Sequence, residues 1–190
     1  MRKVTLGFAL CGSFCTFSKA LPVMRHLSEL GYDVLPIMSE NAYSTDTRFG
    51  KARDFVGEIE EICGKSVIHT IVGAEPVGPQ RLCDLLIIAP CTGNTLAKLS
   101  LGVTDTSVTM AAKSHLRIQR PVLLCVATND ALGASAQNIG RLMNTKNIFF
   151  VPMSQDDPEN KPNSLVGDFE KLPLCVEYAL KKQQAQRVFF

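Results

Sequence analysis

The stretch Leu82-Cys83-Asp84-Leu85-Leu86-Ile87-Ile88-Ala89-Pro90-Cys91-Thr92-Gly93-Asn94-Thr95-Leu96-Ala97-Lys98-Leu99 decides the fold. Residues 82–89 are apolar apart from Asp84, as in a central strand buried on both faces. The run then breaks into small polar groups. Pro90 rigidifies the exit, Gly93 permits a close approach, and Asn94 can donate and accept at once. A short helix follows from about residue 95 to 101. Strand, polar loop and helix in that order form the repeating unit of a sheet covered by helices on both sides.

Outward from this unit the same alternation continues. Residues 4–11 read as a first strand. Phe17, Leu21, Met24 and Leu27 then recur at helical spacing until Gly31, with Pro22 predicting a kink. Residues 33–38 read as a second strand, and Phe55, Ile59 and Ile62 mark a helix ended by Gly64. Beyond the central unit come a helix at about 105–116, a strand at 121–127, a helix at about 131–143 and a strand at 148–151. A last helix carries Leu172, Val176 and Leu180. The connection 151–168 holds Pro152, Pro158, Pro162 and the pair Asp156-Asp157. A link that long is usually functional or mobile. The aspartates could form an acid/base dyad, but a polar loop ordering against a neighbouring subunit is preferred. The expected architecture is α/β: three layers, with a doubly wound, mainly parallel open sheet, in one domain over residues 1–190. Right-handed crossovers place ligands beyond the carboxyl ends of the strands, at residues 12–16, 39–49, 90–95 and 128–133.

Composition sets the outer limits. The 190 residues are 46% hydrophobic and 20% charged, which is ordinary for a globular chain. A formal net charge of +2 leaves no polybasic footprint for nucleic acid. No window approaches the roughly 20 apolar residues that span a bilayer. With no signal-peptide pattern at the start, a cytoplasmic address is expected. The seven cysteines contain no CxxC spacing, which argues against a disulfide framework or a metal site and for buried thiols. Cys91 is the expected exception, since it falls in a ligand-facing loop.

The first loop is Cys11-Gly12-Ser13-Phe14-Cys15-Thr16. Gly12 can adopt backbone angles closed to other residues and lets a phosphate come close. Ser13 and Thr16 add hydroxyls beside the free amides of a helix start. An ordinary strand-to-helix turn with a serine cap explains this loop equally well. It is neither a G-x-G-x-x-G nor a Walker A sequence.

Pro90-Cys91-Thr92-Gly93-Asn94-Thr95-Leu96-Ala97-Lys98 closely resembles the Pro-Ala-Ser-Ala-Asn-Thr signature of the flavoprotein family that includes the peptidyl- and phosphopantothenoylcysteine decarboxylases. The Gly12-Ser13 loop resembles that family's first FMN loop, and Ala127-Thr128-Asn129 sits where the family has Ala-Met-Asn. The likeness covers roughly residues 3 to 150. It implies a Rossmann-like flavoprotein fold and FMN, with Gly12, Ser13 and Thr16 near the phosphate or ribityl chain. Ser39, Pro90, Thr92, Asn94 and Thr95 would line the rest, and Asn94 and Asn129 would reach cofactor and substrate.

Residues 44–50, 145–150, 155–158 and 161–164 are similar to one branch of that family, found in sporulating Gram-positive bacteria. This second likeness runs nearly end to end. It implies a subunit that works in the mother cell with a separate A subunit to aromatise a dihydropyridine dicarboxylate, with NAD(P) supplied through the partner as one option for the hydride acceptor. The family further implies a homo-oligomer, trimeric or larger. A dicarboxylate wants guanidinium contacts, and Arg48 in its threonine-rich loop is the first choice, ahead of Lys113, Arg117 and Arg141.

One departure narrows the chemistry. The cysteine decarboxylases carry a histidine shortly before the central strand, where this chain has Ala74-Glu75-Pro76-Val77-Gly78-Pro79; His69 lies further upstream. His26 and His115 fall on helices, where surface or packed roles are expected. The alternatives are an FMN-dependent decarboxylase or prenyl-flavin synthase, suggested by the Pro-Cys-Thr start, and a non-catalytic binding subunit.

Overall fold

Strands and helices alternate along residues 3–190, the part of the chain that the computed structural model describes. β1 (Thr5–Leu10) leads through a short 3-10 turn into α1 (Phe17–Glu29), and β2 (Asp33–Met38) follows. Next come α2 (Glu40–Ser44), α3 (Ala52–Cys63) and α4 (Ile71–Ala74). β3 (Leu85–Cys91) feeds α5 (Gly93–Leu101) and α6 (Ser107–Arg117); β4 (Val122–Thr128) feeds α7 (Ala136–Met143). The chain ends with β5 (Ile148–Phe150), β6 (Met153–Ser154), β7 (Leu165–Gly167) and α8 (Leu172–Leu180).

β2, β1, β3, β4 and β5 lie side by side in that order, all parallel. β6 and β7 add an antiparallel pair, joined to the sheet where β7 meets the end of β4. The edge of β4 is therefore divided. β5 covers Val122 to Leu124, and β7 covers Ala127 and Thr128.

The pleat sorts side chains between two buried layers, because successive residues of a strand face opposite sides. Leu85, Ile87 and Ala89 join the core under α1, α3 and α8. Leu86, Ile88 and Cys91 join the core under α5, α6 and α7. All seven residues of β3 are buried, so the unbroken apolar run does mark the central strand. The architecture is the expected three-layer, mainly parallel sheet.

Several boundaries differ from the expectation. β3 continues through Pro90 and Cys91, with a register shift against β4 between Ile88 and Cys91. Pro90 has no N–H to give, but its carbonyl accepts the Cys11 amide at 3.3 Å. α5 starts at Gly93, and α7 starts only at Ala136. Residues 129–135 form a turn in which the Gly133 and Ser135 amides return to the Asp130 carbonyl. α1 runs as one helix through Pro22; Ser18, whose carbonyl Pro22 cannot bond, lies with it on the exposed face. The link 151–168 is a β6–β7 hairpin bonded within its own chain.

Candidate functional site

β1 and β3 are neighbours whose following helices depart on opposite faces, so their ends open a crevice. Thr92 caps α5: its side chain accepts the Thr95 amide at 3.3 Å and lies 3.0 Å from the Thr95 hydroxyl. Thr95 donates to the Cys11 sulfur at 3.2 Å, tying the β3 exit to the β1 exit. Gly12, Thr92 and Asn94 form a ledge with a cleft on each side. The larger, about 750 Å³, adds Ser13, Thr16 and Asn129. The smaller, about 640 Å³, adds Ser39, Thr95 and Lys98.

Close packing demands glycine at the start of α5. A Cβ on Gly93 would stand 2.6 Å from the Thr128 hydroxyl, 2.8 Å from the Asp130 carboxylate and 2.9 Å from the Ser135 hydroxyl. Those three groups are bonded to one another, since Thr128 and Ser135 both donate to Asp130 at 2.5 and 2.9 Å. Gly12 differs: a Cβ there meets only the Phe14 ring at 3.6 Å, and its backbone is not in the left-handed region. Its small size leaves open space; its conformation does not require glycine.

The polar groups on the ledge and in the clefts beside it divide into committed and free. Thr16 donates to the Ser13 carbonyl at 2.7 Å, and Ser39 caps α2 by accepting the Ala42 amide at 3.3 Å. Asn94 and Asn129 are exposed and their side chains make no hydrogen bond among the described residues, so those amides line the cleft uncommitted. Pro90 is buried in β3 and lines neither cleft.

Arg48 also lines neither cleft; it is exposed, with its guanidinium 4.9 Å from the Phe49 ring. The weaker cation candidates are engaged elsewhere or exposed. Arg117 reaches Glu75 at 3.9 Å, Arg141 donates to the Ser100 carbonyl at 3.4 Å, and Lys113 is solvent-exposed.

The cysteine expectation needs correcting at the site. All seven thiols are free, but Cys91 is fully buried as the last residue of β3. Burial drives its thiol well above the usual range, and burial likewise raises Cys11 to about 11 against the opposing Thr95 hydrogen bond. The exposed thiol lining the larger cleft is Cys15. His69 packs on Tyr43 with ring centroids 3.7 Å apart and lines neither cleft.

Asp156 and Asp157 do not form a dyad. Asp157 accepts from the Asn160 amide and side chain, whereas Asp156 accepts from Ser164 at 2.6 Å and Lys161 at 3.2 Å. Burial opposes ionisation of Asp156, but those bonds outweigh it and lower its pKa.

Asp130, inside the expected loop 128–133, and Asp156, one of the paired aspartates, line the larger cleft, and sequence reasoning missed Lys19 and Lys161 beside them. Lys19 was within reach, three residues after Thr16 on the same helix start. Lys161 was not, because it arrives by a hairpin whose strands are too short to show a period. Among the described residues no group of three or more His, Cys, Asp or Glu could hold a metal ion, and no helix is long and apolar enough to cross a membrane.

A family model described as Flavoprotein matches residues 1–171. The chain is 47% identical over 183 residues to the B subunit of dipicolinate synthase from Bacillus subtilis strain 168, covering 96% of this chain and 92% of that one. The crystal structure of the dipicolinate synthase B subunit from Bacillus halodurans C superposes with a TM-score of 0.90 at 44% identity, over 100% of this chain and 98% of that one. A dodecameric FMN-dependent UbiX-like decarboxylase from Escherichia coli O157:H7 shares the fold, with a TM-score of 0.64 at 22% identity over 78% of this chain and 80% of that one.

Proposed function

This chain belongs to the Flavoprotein family, and on that premise we propose that it is the B subunit of a dipicolinate synthase, holding FMN on the Gly12–Thr92–Asn94 ledge and acting with an A subunit to convert dihydrodipicolinate to dipicolinate. The observation that carries the cofactor assignment is that these three residues border both clefts, so one elongated ligand laid over them enters each. The residues present fit such a group. The backbone at Gly12 is open, and Asn94 and Asn129 offer uncommitted amides.

Aromatising a dihydropyridine dicarboxylate removes two hydrogens, one with its electron pair and one as a proton. Bound flavin supplies a two-electron acceptor; a nicotinamide supplied through the A subunit is the other acceptor of the same kind. Gly12, Ser13 and Thr16 hold the phosphate or ribityl end, with Ser39, Thr92 and Thr95 shaping the opposite wall. Pro90 acts by setting the β3 exit. Asn94 and Asn129 orient substrate over the ledge. Arg48, exposed and outside the clefts of its own chain, meets the dicarboxylate from a neighbouring copy in a trimer or larger assembly.

The test is a visible spectrum of the pure protein before and after FMN, followed by turnover of dihydrodipicolinate with the A subunit added. Flavin bands are expected, and they should be lost in Asn94→Ala and Gly12→Val, since a side chain at residue 12 fills ligand space while leaving the fold undisturbed. Unchanged binding in both variants refutes the ledge. No dipicolinate from the complete mixture refutes the catalytic role, and a monomer in light scattering refutes the placement of Arg48.

A further inference from the structure

The two clefts differ in charge. The smaller has Glu40 and Asp105 against one cation, Lys98, whose ammonium already lies 2.8 Å from Asp105. A dianion is repelled there. The larger cleft is lined by two cations, Lys19 and Lys161. Its two carboxylates, Asp130 and Asp156, balance them, so the larger cleft is formally neutral where the smaller carries one net negative charge; Asp130 accepts from the Thr128 and Ser135 hydroxyls, and Asp156 from Ser164 and Lys161. Lys19 is exposed, directly after the Gly12–Thr16 loop, and makes no ion pair among the described residues.

Lys161 is held by a built loop. Gln155 donates to the Pro162 carbonyl at 2.7 Å across the base of the β6–β7 hairpin, and the Lys161 amide returns to the Asp157 carbonyl at 2.8 Å. Ser164, almost wholly buried, fixes Asp156, and Asp156 fixes the Lys161 ammonium. Two of the three ammonium protons remain for a ligand. The Leu132 amide donates to the Asn163 carbonyl at 3.0 Å, which docks the hairpin on the turn that carries Asn129.

We propose that the β6–β7 hairpin is a phosphate clasp: Lys161, steered by Asp156, and Lys19 close from opposite sides on the terminal phosphate of a flavin whose phosphate end lies at the Gly12–Thr16 loop. The clasp rests on the flavin reading above and adds to it a reason for choosing the phosphorylated cofactor. It sets the ligand's direction, with phosphate in the larger cleft and away from Glu40 and Asp105.

FMN and riboflavin differ only in the phosphate, so their affinities for the full-length protein, measured by fluorescence quenching, test the clasp. Lys161→Ala and Lys19→Ala should each weaken FMN about tenfold, the scale of one charge-assisted contact in a solvent-open site, and leave riboflavin unchanged. Lys161→Arg should retain FMN. Asp156→Asn should weaken FMN by less than Lys161→Ala, because the lysine keeps its charge and loses its anchor. Equal weakening of FMN and riboflavin, or FMN affinity unmoved by both alanine variants, overturns the clasp while flavin binding stands. Wild-type protein that binds neither compound removes the flavin reading and the clasp together.

Discussion

Gly12 and Gly93 stand at the exits of neighbouring strands, yet each is small for a different reason. Gly93 is confined by the bonded trio Thr128, Asp130 and Ser135, while Gly12 faces open space. The sequence marks both as glycines in loops and cannot separate packing from ligand approach, because the confining atoms come from β4 and the turn behind it. Cys91 shows the same limit. A proline ordinarily closes a strand and so points to a loop at Cys91, whereas the register shift carries β3 past it. His115 shows the other side, a helical histidine expected to be packed or on the surface, and fully buried in the fold. Its Nδ1 lies 3.7 Å from the Cys83 sulfur. Burial, reinforced by Arg120 and opposed by the Pro121 backbone and Asp84, holds its pKa down to about 4 from 6.5. The unfolded chain therefore binds the extra proton first, and stability is lost as pH falls from 6.5 towards 4, by about 3 kcal/mol. Asp33 and Asp156, whose pKa values lie below the ordinary 3.8, lose their contributions only at still lower pH. Denaturant titrations between pH 6.5 and 4 should show that slope, and His115→Leu should flatten it. An unchanged slope in the variant would exclude His115 as its source.

At the scale of elements, long periodic segments were legible and short ones were not. α1, α3 and α8 follow apolar residues at helical spacing, and β3 follows an unbroken run. β6 and β7 have two and three residues, too few for any alternation to register, so their hairpin read only as a long proline-rich link. α6 was legible as a helix, but its anchorage was not. Thr106 and Thr109 form a reciprocal capping box, and Glu40 reaches across from α2 to accept the Ser107 amide at 3.0 Å. That contact joins residues far apart in sequence, so no local pattern announces it. Removing the cap in Thr106→Ala should cost about 1 kcal/mol and lower the melting temperature by roughly 3 °C for a chain of this size. A calorimetric midpoint equal to wild type would mean that Glu40 alone fixes the start of α6.

For the molecule as a whole, alternating runs and right-handed crossovers made a doubly wound sheet legible; the order β2-β1-β3-β4-β5 comes from the strand pairings, and the crevice follows from the order. The loops that carry Gly12, Thr92 and Asn94 were legible in the sequence as strand exits, and the fold brings those three residues to the border of both clefts. The lysines that face them were not legible, since Lys161 reaches the cleft only through the divided edge of β4. That edge has a consequence for exchange with solvent. Amides of β4 that point towards β5 belong to the parallel body of the sheet and should exchange deuterium only through global unfolding. Those paired with Leu165 and Val166 depend on a hairpin of a few residues, and release of that hairpin exposes them without disturbing the rest. Along that edge one strand should thus keep two clocks, slow at Val122 and Leu124 and fast at Thr128. Hydrogen exchange resolved by residue reads both, and a single shared rate would show that the hairpin and the sheet open as one unit.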